Sequence, residues 1–214
     1  TVGVPIIVSI YGFSSEEFAE VSSYAVEARA DALELNVSCP HVEKTGSEIG
    51  QDPNLVRELV KVVKRKVKKP VFVKLTPNVD DITEVAKAAV EGGADAITAI
   101  NTARAMSIDI ETSHPILANE IGGLSGSAIK PIAVRCVYEI YREVDVPVVG
   151  CGGITTWKDA VEFMLAGASA VQVGTAIAFR GLKVFKSINR GINRYLKDKE
   201  FRSVKDIVGL SHRR

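Results

Sequence analysis

Apolar residues recur along the chain in two alternating rhythms. Short runs rich in Val and Ile, "PIIVSI" (5–10), "DALELNV" (31–37), "PVFVKL" (70–75), "DAITAI" (95–100), "VPVVG" (146–150) and "SAVQVG" (169–174), are too short for helices and read as strands buried on both faces. Between them lie amphipathic stretches carrying helix punctuation. "SSEEFAEVSSYAVEA" starts on serines and early acids, and "DPNLVRELVKVVKRK" opens with Asp52 and Pro53. "DDITEVAKAAVEGGAD" stops at Gly92-Gly93, while "SAIKPIAVRCVYEIYREV" and "TWKDAVEFMLAGAS" follow the same logic. Strand then helix, six times over, predicts an α/β fold with a parallel sheet. "EGGADAI" and "LAGASAV" repeat one helix-stop-strand phrase, as stacked βα units do. Polar residues fall at the carboxyl ends of the strands, which favours a (β/α)8 TIM barrel over an open doubly wound sheet. Residues 102–126 break the rhythm and read as a lid or site wall. A barrel closes with eight strands and the pattern supplies six. Residues 1–214 are therefore expected to form one TIM-barrel domain with about six of its eight βα units, the two leading units being absent.

Composition narrows the class. At 214 residues and 46% hydrophobic content the chain is long enough for a full core. No apolar run approaches the ~20 residues of a membrane helix, so no membrane partner is expected. The three cysteines, Cys39, Cys136 and Cys151, are odd in number and lack metal-site spacing, which points to a reducing cytoplasmic setting and no metal. A net charge of +1 gives no global pull toward nucleic acid. The cations of "KVVKRKVKKP" (61–70) fit the end of a solvated helix.

Candidate chemistry collects at the strand ends. Lys74 interrupts an apolar strand, where an unpaired cation is costly. Glu34 and Asn36 share one face of the neighbouring strand, so Lys74 meets either Glu34 or an anionic or electron-rich ligand. Asn101 and Thr102 end the next strand. "VVGCGGIT" (148–155) and "VQVGTA" (171–176) each lead into a helix, and glycine-freed amides there can cradle a phosphate. With two leading strands absent, these follow strands seven and eight, the usual phosphate position in a barrel. "GGLSG" (122–126) adds a flexible segment. Cys39 follows a strand in "ELNVSCPHV" (34–42), on a loop whose Pro40, Gly46 and Gly50 suit closure over a substrate. Its thiol can exchange a proton near neutrality if a reactive carbon comes within reach. Cys136 and Cys151 read as structural, and His114 and His212 show no partner.

Together "LELNVSCPHV", "VKLTPNVDDI", "AINTARAMSIDIET", "GGLSGSAIKPIA" and "GCGGITTWKDAVEFMLAGASAVQVGTA" resemble the catalytic subunit of class 1 dihydroorotate dehydrogenases, most closely the 1B form of archaea. The resemblance spans nearly the whole chain. It implies an FMN-binding barrel that oxidises (S)-dihydroorotate to orotate in pyrimidine biosynthesis. On matching positions, Cys39 would be the base at C5 while a hydride passes from C6 to FMN. Asn36 would touch both cofactor and substrate, and Asn101 and Thr102 would hold the substrate's polar edge. Lys74 would sit by the flavin ring, with Ile100 and Gly126 lining the cofactor. Gly152, Gly153, Gly174 and Thr175 would hold its phosphate. The resemblance further implies an oligomer and a second subunit, carrying FAD and an iron–sulfur cluster, that passes electrons to NAD.

Two departures stand out. Many relatives carry asparagine where this chain has His41, and the family's first two units bring a further lysine and a substrate loop. Three other readings compete. A dihydropyrimidine dehydrogenase-like flavin reductase shares "SCPH", "GQDP" and "KLTPNV", but "SIDIET" and "PILANEIGGLSG" favour orotate chemistry. A tRNA-dihydrouridine synthase would need a basic surface. A non-catalytic flavin-barrel subunit would have no use for Cys39, Lys74, Asn101 and both glycine loops together.

Overall fold

The computed structural model describes residues 3–38 and 46–213. The chain opens with β1 (Ile7–Ile10), α1 (Ser15–Glu27), β2 (Ala32–Asn36), α2 (Gly46–Gln51) and α3 (Pro53–Lys66). It continues through β3 (Val71–Leu75), α4 (Ile82–Glu91) and β4 (Ala96–Ala99). Four short strands follow, β5 (Ala103–Ala105), β6 (Ile108–Asp109), β7 (His114–Pro115) and β8 (Gly122–Leu124). The remainder is α5 (Lys130–Glu143), β9 (Val148–Cys151), α6 (Trp157–Ala166), β10 (Ala168–Gln172), α7 (Ala176–Arg180) and α8 (Lys183–Asp198).

All six expected long strands form one sheet in the order β1-β2-β3-β4-β9-β10, and every pair is parallel. A doubly wound sheet reverses its order at a switch point. This sheet never does. It is also strongly curled. β2 and β10 stand four strand spacings apart, roughly 19 Å on a flat sheet, yet Gln172 on β10 donates to Glu34 on β2 at 2.6 Å. Sequential parallel strands bent until non-neighbours touch are the wall of a (β/α)8 barrel, here with six strands.

Local chemistry explains the helix boundaries. Asp52 accepts from the amides of Asn54 and Leu55 at the start of α3, with Pro53 in the first turn. Ser14 and Asp81 cap α1 and α4 in the same way. Thr156 and Asp159 form a reciprocal capping box on α6. The core lies between the sheet and α1, α3, α4, α5 and α6, and is built from residues such as Phe18, Leu33, Leu59, Val73, Ile97, Ile140 and Phe163.

The structure adds to three sequence expectations. The 102–126 link is built as two antiparallel ribbons, β5 with β8 and β6 with β7. Part of the supposed closing loop is the helix α2, and Gly50 serves packing there, since a Cβ would lie 2.3 Å from the Val37 carbonyl. The helix expected after "VQVGTA" is two helices, α7 and then α8, and Val184, Ile188, Ile192 and Leu196 form the buried stripe of α8.

Candidate active site

The inward-facing polar residues meet at the centre of the curled sheet. Glu34 is buried and accepts from Thr98 Oγ1 at 2.9 Å and from Gln172 Nε2 at 2.6 Å. Lys74 Nζ lies 3.6 Å from the same carboxylate and donates to Gln172 Oε1 at 3.2 Å. The pairing of Glu34 with Lys74 is therefore real, but it does not bury the cation. Lys74 also lines a cavity of ≈ 150 Å³.

That cavity gathers most of the candidate residues. Its walls include Lys74, Ile100, Asn101 and Thr102 from the strand ends. Gly126, Gly152 and Gly153, then Gly174 and Thr175, come from the three glycine-bearing segments. Asn36 stands behind them: Asn101 Nδ2 lies 3.1 Å from Asn36 Oδ1, 2.9 Å from the Ser38 carbonyl and 2.8 Å from Ser38 Oγ. Ser38 Oγ also reaches the Lys74 carbonyl at 3.3 Å. Thr102 N–H donates to Asn101 Oδ1 at 2.9 Å, which orients that amide. The residue just ahead of Cys39 is thus tied to the floor of the cavity. Cys39 itself and His41 lie outside the described residues.

The glycine segments have the form of a cradle. Gly152 and Gly153 have φ of 139° and 73°, which glycine adopts readily. A Cβ at Gly152 would sit 2.6 Å from Ala133 Cβ, and one at Gly153 would sit 2.8 Å from the Gly126 carbonyl. Gly174 faces open space on the other side. Among the described residues, the N–H groups of Gly153, Ile154, Gly174 and Thr175 donate to no protein acceptor. Asp159 fixes the loop between Gly153 and α6: it accepts from the amides of Thr155 and Thr156 at 3.0 and 2.8 Å, and pairs with Lys130 at 2.8 Å. Burial opposes its ionisation, but Lys130 and these amides outweigh that and hold its carboxyl well below the usual range.

Burial pushes the Cys136 thiol up to about 11, and Cys151 is raised for the same reason, with Lys74 pulling against it. Neither is a ready thiolate near neutrality. Cys136 fits its structural reading. Cys151, also read as structural, ends β9 and lines the cavity.

A family model described as dihydroorotate dehydrogenase matches residues 1–196. The chain is similar to the dihydroorotate dehydrogenase B (NAD(+)) catalytic subunit of Pyrococcus horikoshii, 57% identical over 207 residues, covering 97% of this chain and 68% of that protein. The chain belongs to the dihydroorotate dehydrogenase family. The protein of the same name from Thermococcus kodakarensis is 56% identical with the same coverage. That from Methanosarcina acetivorans is 52% identical over 209 residues, covering 98% of this chain and 67% of its own length. All three are of the B type, the type the motifs resemble. The chain spans about two thirds of the length of these relatives.

Sequence reasoning missed Gln172, Ser38, Ser125, Ile129 and Ala176. Gln172 interrupts "SAVQVG" much as Lys74 interrupts its own strand, and that parallel was the available signal. His212, for which the sequence shows no partner, stacks on Tyr138 with centroids 3.9 Å apart and reaches the Ala166 carbonyl at 2.9 Å, a structural role. No helix among the described residues is long and apolar enough to cross a membrane.

Proposed function

We propose that this chain oxidises (S)-dihydroorotate to orotate with FMN bound in the central cavity. The observation carrying this reading is the convergence on one cavity of a held cation, Asn101 backed by Asn36, and the glycine cradle, in a chain of this family. The residues fit the cofactor. Amides without a protein acceptor suit a phosphate, Ile100, Ile129 and Ile154 offer an apolar side for a ring, and Lys74 supplies a positive charge. Bound there, FMN supplies the hydride acceptor.

The chain's own residues do the rest. Gly152, Gly153, Gly174 and Thr175 hold the phosphate, with Ile100 and Gly126 against the cofactor. Lys74, kept in place by Glu34 and Gln172, favours negative charge beside the ring. Asn36, Asn101 and Thr102 hold substrate polar atoms through groups already oriented by one another. Cys39, as thiolate, takes the proton from C5 as the hydride leaves C6, so the substrate loses two electrons and gains the C5–C6 double bond. Reoxidation requires a second chain, since the relatives are named catalytic subunits of an NAD(+)-linked enzyme. An FAD and iron–sulfur subunit, an oligomeric assembly and a cytoplasmic setting complete the reading.

The test is an anaerobic titration of the FMN-loaded protein with dihydroorotate, followed by flavin absorbance. Bleaching is expected, and its rate should fall by about 10²-fold or more in Cys39→Ser at neutral pH. Bleaching by dihydrouracil but not by dihydroorotate would reject the substrate. An undiminished rate in Cys39→Ser would reject the base.

A further inference from the structure

A second groove, of ≈ 910 Å³, lies outside the barrel wall between the start of α6 and the outer face of α8. Its lining includes Lys158, Arg180, Lys183, Lys186, Arg190 and Arg194, all exposed. Among the described residues none of the six is paired with a carboxylate. The sequence supplies no remedy nearby, because the stretch from Phe163 to Lys197 contains no Asp or Glu. In a chain with 27 basic and 26 acidic residues, this is a local, one-signed field.

The arrangement on α8 is a row. Lys183, Lys186, Arg190 and Arg194 follow one another at steps of three, four and four, opposite the buried stripe of Val184, Ile188, Ile192 and Leu196. At 1.5 Å per residue the row runs about 16 Å. Like charges at this spacing disfavour the helix by a few tenths of a kcal/mol per pair, roughly. No partner within the described chain offsets that cost. A row matches an extended strip of negative charge better than a single compact anion.

The floor of the groove decides between kinds of polyanion. Trp157 is flanked by Arg194 Cζ at 5.7 Å and Lys158 Nζ at 5.9 Å from its ring centroid. Gly191 lies so close that a Cβ there would be 2.1 Å from Trp157 Cγ. The indole is half-buried, packed against Gly191 of α8 with Arg194 and Lys158 beside its ring, and is a poorer platform for base stacking than an open aromatic face. Beyond these six cations the chain has 21 basic and 26 acidic residues, so it lacks the broad basic surface that nucleic acid favours.

We propose that this groove docks an acidic segment of a partner protein, whose carboxylates lie along the α8 cation row. The inference is independent of the catalytic reading. Trp157, the only tryptophan in the chain, is a built-in reporter. The full protein would be titrated with a deca-glutamate peptide at about 0.15 M salt, following Trp157 fluorescence. Thymidine decanucleotide and inorganic tripolyphosphate would be titrated in parallel. Saturable peptide binding that weakens with added salt and exceeds that of both other polyanions is expected. The double variant Lys186→Glu/Arg190→Glu should raise the peptide Kd about tenfold or more with an unchanged melting temperature. Should the reversal impair folding, Lys186→Gln/Arg190→Gln should still raise the Kd about threefold. No peptide binding, tighter binding of the oligonucleotide or tripolyphosphate, or a Kd indifferent to the variant that folds would overturn the proposal.

Discussion

Lys74 owes its position to two partners on other strands. Glu34 balances its charge from β2, and Gln172 fixes its ammonium group from β10. The side chains of Lys74 and Glu34 are 18% and 5% exposed, so the carboxylate is the more deeply committed member. Replacing it leaves a cation without a counter-charge. Breaking a fully buried pair costs 3–5 kcal/mol, roughly; the partly open cavity at Lys74 reduces this to about 2 kcal/mol for Glu34→Gln. A lower urea midpoint with an unchanged slope is the expected result, and an unshifted midpoint would mean that Lys74 finds equal solvation in the cavity. Strand alternation in the sequence was enough to place Glu34 on the face that meets Lys74. It could not find Gln172, which sits 138 residues from Glu34 and becomes its neighbour only when the sheet curls. Cys39 was legible from its place on a loop at a strand's carboxyl end and from its motif.

Among the elements, α6 shows how a cap serves the site as well as the helix. Asp159 satisfies the amides of Thr155 and Thr156 and holds Lys130 across to α5, so the cradle loop is pinned on three sides. Asp159→Asn should cost about 2 kcal/mol at neutral pH, through the lost charge-assisted bonds. The pH dependence follows from the depressed carboxyl. Its contribution is complete above the unfolded value near ~3.9 and disappears as the pH falls toward the folded value. The gap between wild type and Asp159→Asn in chemical denaturation should therefore narrow below about pH 4. A gap that stayed constant with pH would assign the loss to packing. The capped helices were legible because their stop and start residues are local signals. The extent of α8 was less so, because Asn189, Gly191 and Asn193 are poor helix formers in its middle. Gly191 is there for contact with Trp157, which no local pattern encodes.

For the whole molecule, the order of strands was readable in advance because successive parallel strands joined by single helices are adjacent by default. The curl was not readable, since it depends on side chains meeting across four strand spacings. The same geometry predicts how stability is distributed. β3 and β4 lie inside the sheet with neighbours on both sides, and every residue of β4 is buried. β1 and β10 each pair on one side only among the described residues, and both have exposed positions. Local opening is easiest where few buried contacts must be broken. Hydrogen exchange should therefore grade outward, with the amides of Val73 and Ile97 slowest and those of β1 and β10 exchanging earlier by at least about tenfold. The cavity spans this gradient, since Lys74 and Asn101 come from its stable centre and Gln172 and Thr175 from its outer part. Ligand binding should then slow exchange most at β10 and the segment after it, because that half has the most order to gain. Equal protection across all six strands would show instead that the edges are held as firmly as the centre.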